Sequence, residues 1–220
     1  MKGIFLVTGT DTGCGKTHVS CALLNAWRRQ GYSVAARKPV ESGCAADGEN
    51  LVPSDAVALR IAAGATESLE TVCALRLEEA LAPGIAAARA GTTLDLEEIA
   101  ASYRKRADVV DALLVEGAGG LLVPLAGDID CVTLAGWLGA RLIVVVGVRL
   151  GGLNHALLTL QAARARDCPV EGVVLNHLQE TPDSATVTFR ESFATLDPAP
   201  ILAEIPFADD GIELLERYLK

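Results

Sequence analysis

The amino-acid sequence predicts an α/β protein in which a mainly parallel β-sheet is covered by helices on both faces, and three observations point there. Continuous runs of Val, Ile and Leu alternate along the chain with segments whose apolar residues recur every three and four positions. The runs are apolar throughout instead of alternating with polar residues, which is how strands buried on both faces read. No repeat, low-complexity tract or Pro- and Gly-rich linker divides the 220 residues, so a single domain over 1–220 is expected.

Taken in order, residues 3–8 form an apolar, β-branched run ending in a Gly and Thr cluster, a first strand followed by a loop. From Gly15 the period becomes helical through Val19, Ala22, Leu23, Ala26 and Trp27, with Arg28 and Arg29 in the last turn and Gly31 as the stop. Residues 33–40 read as a second strand and the polar, Gly-containing residues 41–53 as a loop. Ser54 stands where it can cap a helix reaching about residue 63. Residues 66–91, interrupted by Pro83 and Gly84, suggest short helices.

Asp95 with Glu98 three residues on is a capping-box pattern that opens a helix to about residue 107. Residues 111–116 read as a strand ending in an acid, followed by a turn at 117–120, the segment 121–125, a helix over 132–138 and an all-apolar strand over 142–148. A helix over 153–166, strands at 171–175 and 201–205 flanking a helix over 184–194, and a closing helix from about residue 211 complete the alternation.

Lys and Arg number 19 against 28 Asp and Glu, and the net charge of −9 opposes broad attraction to nucleic acid or an anionic membrane. An anionic ligand therefore needs a local pocket. The apolar runs at 4–7 and 142–148 are too short for a signal peptide or a spanning helix. In the closing segment, Glu213 and Glu216 balance Arg217 and Lys220, without the cationic excess of a membrane-binding tail. Six cysteines in a long, apolar chain with no signal peptide do not make a disulfide scaffold, and a reduced, cytoplasmic protein is the expectation. Their spacing to His18, His155 and His177 does not suit zinc, and no Gly-x-Ser-x-Gly elbow or hydrolase triad is visible.

The strongest chemical signal is Gly9-Thr10-Asp11-Thr12-Gly13-Cys14-Gly15-Lys16-Thr17, between the first strand and the first helix. Backbone amides of such a loop point at a phosphate, the helix N-terminus adds positive potential, Lys16 neutralises the terminal phosphates and Thr17 offers a hydroxyl to Mg²⁺. Thr10 stands where the common phosphate-loop pattern has Gly, so the match is a variant, and the expected fold is P-loop NTPase-like. Glu116 closes an apolar strand at the sheet edge where a phosphate loop also sits, either to hold or orient the metal or simply to face water. Lys38 either adds a second cation near the phosphates or snorkels from its strand end. Asp55 is a third oxygen ligand for Mg²⁺ or an acid serving the helix dipole. Gly151 and Gly152 make either an anion-friendly helix start or a tight turn.

Four motifs then stand together: the loop at 9–17, Lys-Pro-Val-x-Ser-Gly at 38–43, Val-Glu-Gly-Ala-Gly-Gly at 115–120, and Val-Gly-Val-Arg-Leu-Gly-Gly-Leu-Asn-His at 146–155. As a set they resemble the dethiobiotin synthetase family, and the likeness runs in order through Asn176 and Glu204-Ile205-Pro206. The resemblance implies the joining of CO₂ to 7,8-diaminopelargonate with ATP and Mg²⁺, through a carbamate and its phosphoric anhydride. It further implies that Gly13, Cys14, Gly15, Lys16, Thr17 and His18 wrap the phosphates, that Thr17, Asp55 and Glu116 bind Mg²⁺, with Gly117, Ala118 and Gly119 at the nucleotide, and that Lys16 and Lys38 stabilise the carbamate and the phosphoryl in transit. Ser42 is then the substrate contact, and Asn176, His177, Ile205, Pro206 and Phe207 hold the base. A homodimer is implied, with Gly151 and Asn154 reaching the substrate carboxylate from the partner subunit. Gly13 departs from the family, where many relatives carry an acid, and His177 replaces a common acidic neighbour of Asn176.

A regulatory switch ATPase of the partition and cell-division type shares the expected fold but carries an extra lysine where this chain has Asp11. An amidating synthetase on the same scaffold needs a glutamine-hydrolysing domain, for which 220 residues leave no room. A binding module without chemistry leaves the charged groups at the strand ends without a purpose.

Overall fold

The computed structural model describes residues 2–48 and 50–218. Strand β1 (Gly3–Gly9) runs into the glycine loop, and helix α1 (Lys16–Arg29) returns along the sheet with Trp27 fully buried against Phe5, ring centroids 5.1 Å apart. Strand β2 (Val34–Arg37) ends earlier than the sequence suggests. The chain leaves the sheet at Lys38 and Pro39 and forms a separate strand β3 (Val40–Ser42), because Pro39 has no N–H for a ladder and the Lys38 N–H donates to Val72 O at 2.7 Å. Within the expected loop a hairpin forms from β4 (Ala45–Asp47) and β5 (Asn50–Val52). Helix α2 (Ser54–Ala62) has Pro53 at its cap position, so Ser54 is the first helical residue and not the cap.

Helix α3 (Leu69–Val72) precedes β6 (Leu75–Leu77), which pairs in parallel with β3 outside the main sheet. Helices α4 (Pro83–Arg89) and α5 (Leu96–Ala107) follow, and Asp95 caps α5 by accepting from the Glu97 and Glu98 amides at 3.1 and 2.9 Å. Strand β7 (Ala112–Gly120) extends through the residues read as a turn. A small hairpin of β8 (Pro124–Ala126) and β9 (Ile129–Asp130) leads to α6 (Cys131–Leu138), β10 (Arg141–Val148), α7 (Gly152–Ala165) and β11 (Val170–His177). The helix expected over 184–194 is split at Thr188 into α8 (Ser184–Val187) and α9 (Phe189–Leu196). Strand β12 (Ile201–Ile205) and helix α10 (Ile212–Tyr218) complete the described chain, and Lys220 of the closing segment lies outside it.

Six strands form the main sheet in the order β12-β11-β10-β1-β7-β2, every neighbouring pair parallel. Alternate residues feed two cores: Ile4, Leu6, Leu113 and Val115 pack on one face, Phe5, Val7, Ala112 and Leu114 on the other. Helix α1 contributes Val19, Leu23 and Trp27 to the second core, and α5, α6 and α7 contribute to the first. This two-sided burial explains the uninterrupted apolar strands and brings every strand's carboxyl end to one edge. No helix among the described residues is long and apolar enough to cross a membrane.

Candidate active site

At the carboxyl ends of β1, β7 and β2 the chain meets three charged side chains that the apolar sheet cannot leave unpaired. Glu116, within β7, is fully buried. Its Oε1 accepts from the Thr17 hydroxyl at 2.9 Å and from Lys38 Nζ at 2.6 Å, while its Oε2 has no hydrogen-bond partner among the described residues. Lys38, only 3% exposed, also donates to Asp55 Oδ2 at 2.9 Å. Burial works against the Lys38 charge, but Glu116 and Asp55 outweigh it and hold the ammonium pKa well above the usual lysine value. Burial likewise pushes Asp55 up, but Lys38, the Thr17 hydroxyl and Lys16 together outweigh it, so its carboxyl sits below the usual range. The sequence alternatives for Lys38, Asp55 and Glu116 thus resolve into one ionic cluster. Cys21 on α1 stands close enough to feel the two carboxylates: burial first, then Glu116 and Asp55, push its thiol up to about 12, leaving it protonated and unreactive.

The glycine loop is wound against this cluster. Gly15 has φ +91°, a left-handed conformation at the N-cap of α1, and a side chain there would run into the Asn176 amide. Asn176 Nδ2 donates to Cys14 O at 3.0 Å, tying the loop to the end of β11. Lys16 lies inside the loop with Nζ on Asp11 O at 3.3 Å, and Asp11 itself meets Arg149 at 2.6 Å. The loop and the ionic cluster line a cleft of about 710 Å³. It brings together Gly13, Gly15, Lys16, Thr17, His18, Lys38, Ser42, Asp55, Ala118 and Gly119, with Cys14 and Glu116 buried beneath and Gly117 O 3.4 Å from Lys38 Nζ.

The remaining candidate residues are placed differently. Asn176 presents its side chain to the loop, but strand alternation turns the His177 ring to the opposite face, where its Nε2 pairs with Glu204 at 2.8 Å and Glu204 meets Arg190. Of that pair only Asn176 can use its side chain at the loop. Ile205 is buried at the end of β12, next to the exposed Pro206 and Phe207. Gly151 and Asn154, at the start of α7, are exposed and outside the cleft of their own chain. Two features escape the sequence. Glu41 lines the cleft with both carboxylate oxygens on the first turn of α2, and residues 80–83 wall it through Leu81 O, which accepts from the Ser42 hydroxyl at 2.8 Å. For Glu41 the available signal is an acid at the variable position of the 38–43 motif; the apolar wall gives none.

A glycine loop that turns the first strand into the first helix, at the carboxyl edge of a parallel six-stranded sheet, defines a P-loop nucleotide-binding protein. Residues 3–212 match the family model described as an AAA domain. In fold the chain is similar to the ParA family ATPase from Chlorobium tepidum, with TM-score 0.57 and 14% identity over 100% of this chain and 97% of that one. It is also similar to the MinD cell division protein of Aquifex aeolicus, with TM-score 0.58 and 16% identity over 98% and 86%. These likenesses are of fold alone. In sequence the chain is similar to the ATP-dependent dethiobiotin synthetases BioD of Nitrosospira multiformis, 42% identical over 94% of this chain and 88% of that one, and of Pseudomonas paraeruginosa, 42% over 98% and 95%. That of Anaeromyxobacter dehalogenans is 41% identical over 96% and 92%. The chain belongs to the dethiobiotin synthetase family.

Proposed function

We propose that this chain is a Mg²⁺- and ATP-dependent dethiobiotin synthetase, one catalytic domain over residues 1–220 that works in the cytoplasm as a homodimer. The observation that carries this most directly is the buried Lys38 ammonium, fixed between Glu116 and Asp55 beside the phosphate loop. In the reaction, one amine of 7,8-diaminopelargonate adds to CO₂ and loses a proton to give a carbamate. A carbamate oxygen takes the γ-phosphoryl group of ATP and ADP departs. The second amine then attacks the carbamoyl carbon, phosphate leaves and the ureido ring closes.

The nucleotide, the carbamate, its phosphoric anhydride and the departing phosphate are all anionic and no step needs a protein nucleophile, so the enzyme's task is positioning and charge neutralisation. The amides and side chains of Gly13, Cys14, Gly15, Lys16, Thr17 and His18 wrap the phosphates, with Gly117, Ala118 and Gly119 forming the floor. Lys16 exchanges its contact with Asp11 O for the terminal phosphates. Lys38 is held protonated by its two carboxylates, so it serves as a fixed positive charge for carbamate and phosphoryl oxygens and not as a base. Ser42 meets the diamine beside the apolar wall of Leu81 and Pro83. Asn176 with Ile205, Pro206 and Phe207 holds the nucleotide base, for which the half-exposed Phe207 ring offers a stacking face.

The residues at the cluster fit Mg²⁺. Thr17, Asp55 and Glu116 offer only hard oxygen donors, and the buried Glu116 Oε2 has no partner among the described residues. Two carboxylates and a hydroxyl are a donor set of the kind Mg²⁺ takes, with phosphate oxygens and water completing its shell. Held by Thr17, Asp55 and Glu116, Mg²⁺ would supply charge neutralisation for the nucleotide's phosphates. The homodimer is supported by the segment at 149–154, where Leu150 is 79% exposed next to Gly151. Gly151 and Asn154 lie outside their own chain's cleft and reach the diamine carboxylate of the other protomer.

The test is ATP hydrolysis with Mg²⁺ and bicarbonate, with and without 7,8-diaminopelargonate, following ADP and the mass of the organic product, with Lys16→Ala as control. Diamine-dependent turnover to the cyclic urea, lost in the control, is the expected result. Hydrolysis indifferent to the diamine, with no new product, overturns the synthetase and favours a switch ATPase.

A further inference from the structure

Helix α2 delivers Asp55 to the ionic cluster, yet its own start is chemically bare. Its N-cap residue is Pro53, which has no side-chain acceptor, and no local side chain caps the first turn. The amides at the second and third helical positions, Asp55 and Ala56, are those that a Ser, Thr, Asp or Asn cap normally satisfies. Here both are satisfied from the distant strand β3. Glu41 Oε1 accepts from the Asp55 N–H at 3.0 Å and Glu41 Oε2 from the Ala56 N–H at 2.9 Å, and the Ser54 hydroxyl lies 3.4 Å from Oε1. Glu41 is 5% exposed, so in the intact protein these two hydrogen bonds are shielded from water.

We infer that Glu41 is a positioning residue for the reaction: a helix cap supplied across the fold, which sets where Asp55 stands in the site. The segment that carries it also carries Lys38. Residues 38–41 therefore hold Asp55 twice, Lys38 by its carboxylate at 2.9 Å and Glu41 by its backbone N–H at 3.0 Å. A negative charge at the positive end of α2 strengthens the grip. With both oxygens occupied by amides, Glu41 does not touch the reacting atoms, although it borders the cleft directly beside the substrate contact Ser42. The glutamate at the variable position of the Lys-Pro-Val-x-Ser-Gly motif thus acts through Asp55.

This rests on the assignment of Asp55 to Mg²⁺, and the experiment keeps the two apart. Glu41→Ala, Glu41→Gln and Asp55→Asn are made in the full chain and read in two ways. Amide hydrogen exchange, measured without nucleotide or metal, should quicken at Asp55 and Ala56 by roughly five- to thirtyfold in Glu41→Ala, the range expected for a lost helix cap, while α1 and the central strands keep their rates. Glu41→Gln, which retains one acceptor oxygen, should fall between. In turnover, the MgCl₂ concentration giving half-maximal rate should rise roughly 10- to 100-fold in Glu41→Ala, as for loss of an outer-shell partner, with metal-free ADP binding in EDTA unchanged.

Asp55→Asn should raise the MgCl₂ requirement without the exchange signature. Exchange at Asp55 and Ala56 that stays at the wild-type rate overturns the proposal, as does quickening spread evenly over the sheet. Local quickening with an unchanged MgCl₂ requirement in Glu41→Ala, where Asp55→Asn does raise it, overturns the positioning role. If wild type and Asp55→Asn share one MgCl₂ requirement, the metal assignment fails instead, and the exchange result still decides the cap.

Discussion

Two ion-pair clusters in this molecule use the same chemistry to different ends. Between the end of α9 and helix α7, Arg164 grips Asp197 with both terminal guanidinium nitrogens at 2.7 Å, and Asp197 Oδ1 takes the Ala199 amide at 2.8 Å as well. Each Asp197 oxygen is occupied. At the cleft, Glu116 is buried more deeply, yet one of its oxygens has no partner among the described residues and the other is shared by Thr17 and Lys38. The Arg164–Asp197 pair closes its own hydrogen bonds. The cluster at the cleft keeps one unmet acceptor among the described residues, a demand that the proposed Mg²⁺ would meet.

The largest effect that would break this contrast is expected at Lys38. Lys38→Met should lower turnover by about 10²- to 10³-fold or more through the lost transition-state charge. It should also cost roughly 3–5 kcal/mol of stability by stranding the buried Glu116 carboxylate. Urea unfolding of Lys38→Met and Lys38→Met/Glu116→Gln checks this: the double variant should regain stability and not activity. Asp197→Ala should give the opposite profile. It costs about 1–2 kcal/mol, because the half-exposed Arg164 is rehydrated while the Ala199 amide loses its acceptor, and it leaves kcat and KM unchanged. A loss of activity in Asp197→Ala without unfolding would erase the distinction.

The two clusters also fail at opposite ends of the pH scale. Asp197 is held below its usual pKa by the Arg164 pair. Its stabilisation is present above the unfolded carboxyl value of about 3.9 and is lost as pH falls through the lower folded value. Lys38 is held above its usual pKa, so its contribution is present below the unfolded lysine value of about 10.4 and is lost as pH rises through the higher folded one. The stability gap between wild type and Asp197→Asn should therefore narrow in acid, and that between wild type and Lys38→Met in alkali, each measured by urea melts across pH.

Much of this architecture is legible in the sequence where the signal is local. Strands β1 and β10 and helices α1 and α7 follow from apolar runs and three-and-four spacing, and Asp95 announces the start of α5. Strands β3, β4, β5 and β6 are three residues each, too short to show a period, and they pair only with one another. The phosphate loop is legible because its chemistry needs contiguous residues. The Lys38, Asp55 and Glu116 cluster is readable only as separate suspects, since its members meet across 17 and 78 positions of chain. Ser54 looks like the cap of α2 because a serine before a helix usually is one; the acceptor that wins, Glu41, lies 14 positions before the Asp55 amide. For His177 the information is present: Val173 and Leu175 face one core and Val174 the other, so alternation sets His177 opposite Asn176.

The smallest expected effect sharpens the contrast most. Asp11 and Arg149 form a third pair at 2.6 Å, with side chains 46% and 39% exposed. It lies at the phosphate loop yet in reach of water, so it tests whether location or desolvation gives a pair its weight. Asp11 does three things at once: Oδ1 accepts from the Thr12 N–H at 2.7 Å, Oδ2 meets Arg149, and its carbonyl holds Lys16 Nζ at 3.3 Å. Arg149→Ala removes one of these, and solvent screens the charge it leaves. A cycle of Asp11→Asn, Arg149→Ala and the double variant should give a coupling of about 0.2–1 kcal/mol in stability that shrinks with added salt. Asp11→Asn alone should raise the KM for ATP more than Arg149→Ala does, because it weakens the acceptor on the Thr12 amide as well. A coupling that resists salt and rivals Lys38→Met in turnover would move Arg149 into the charge machinery of the cleft, and would show that nearness to the phosphate loop outweighs burial.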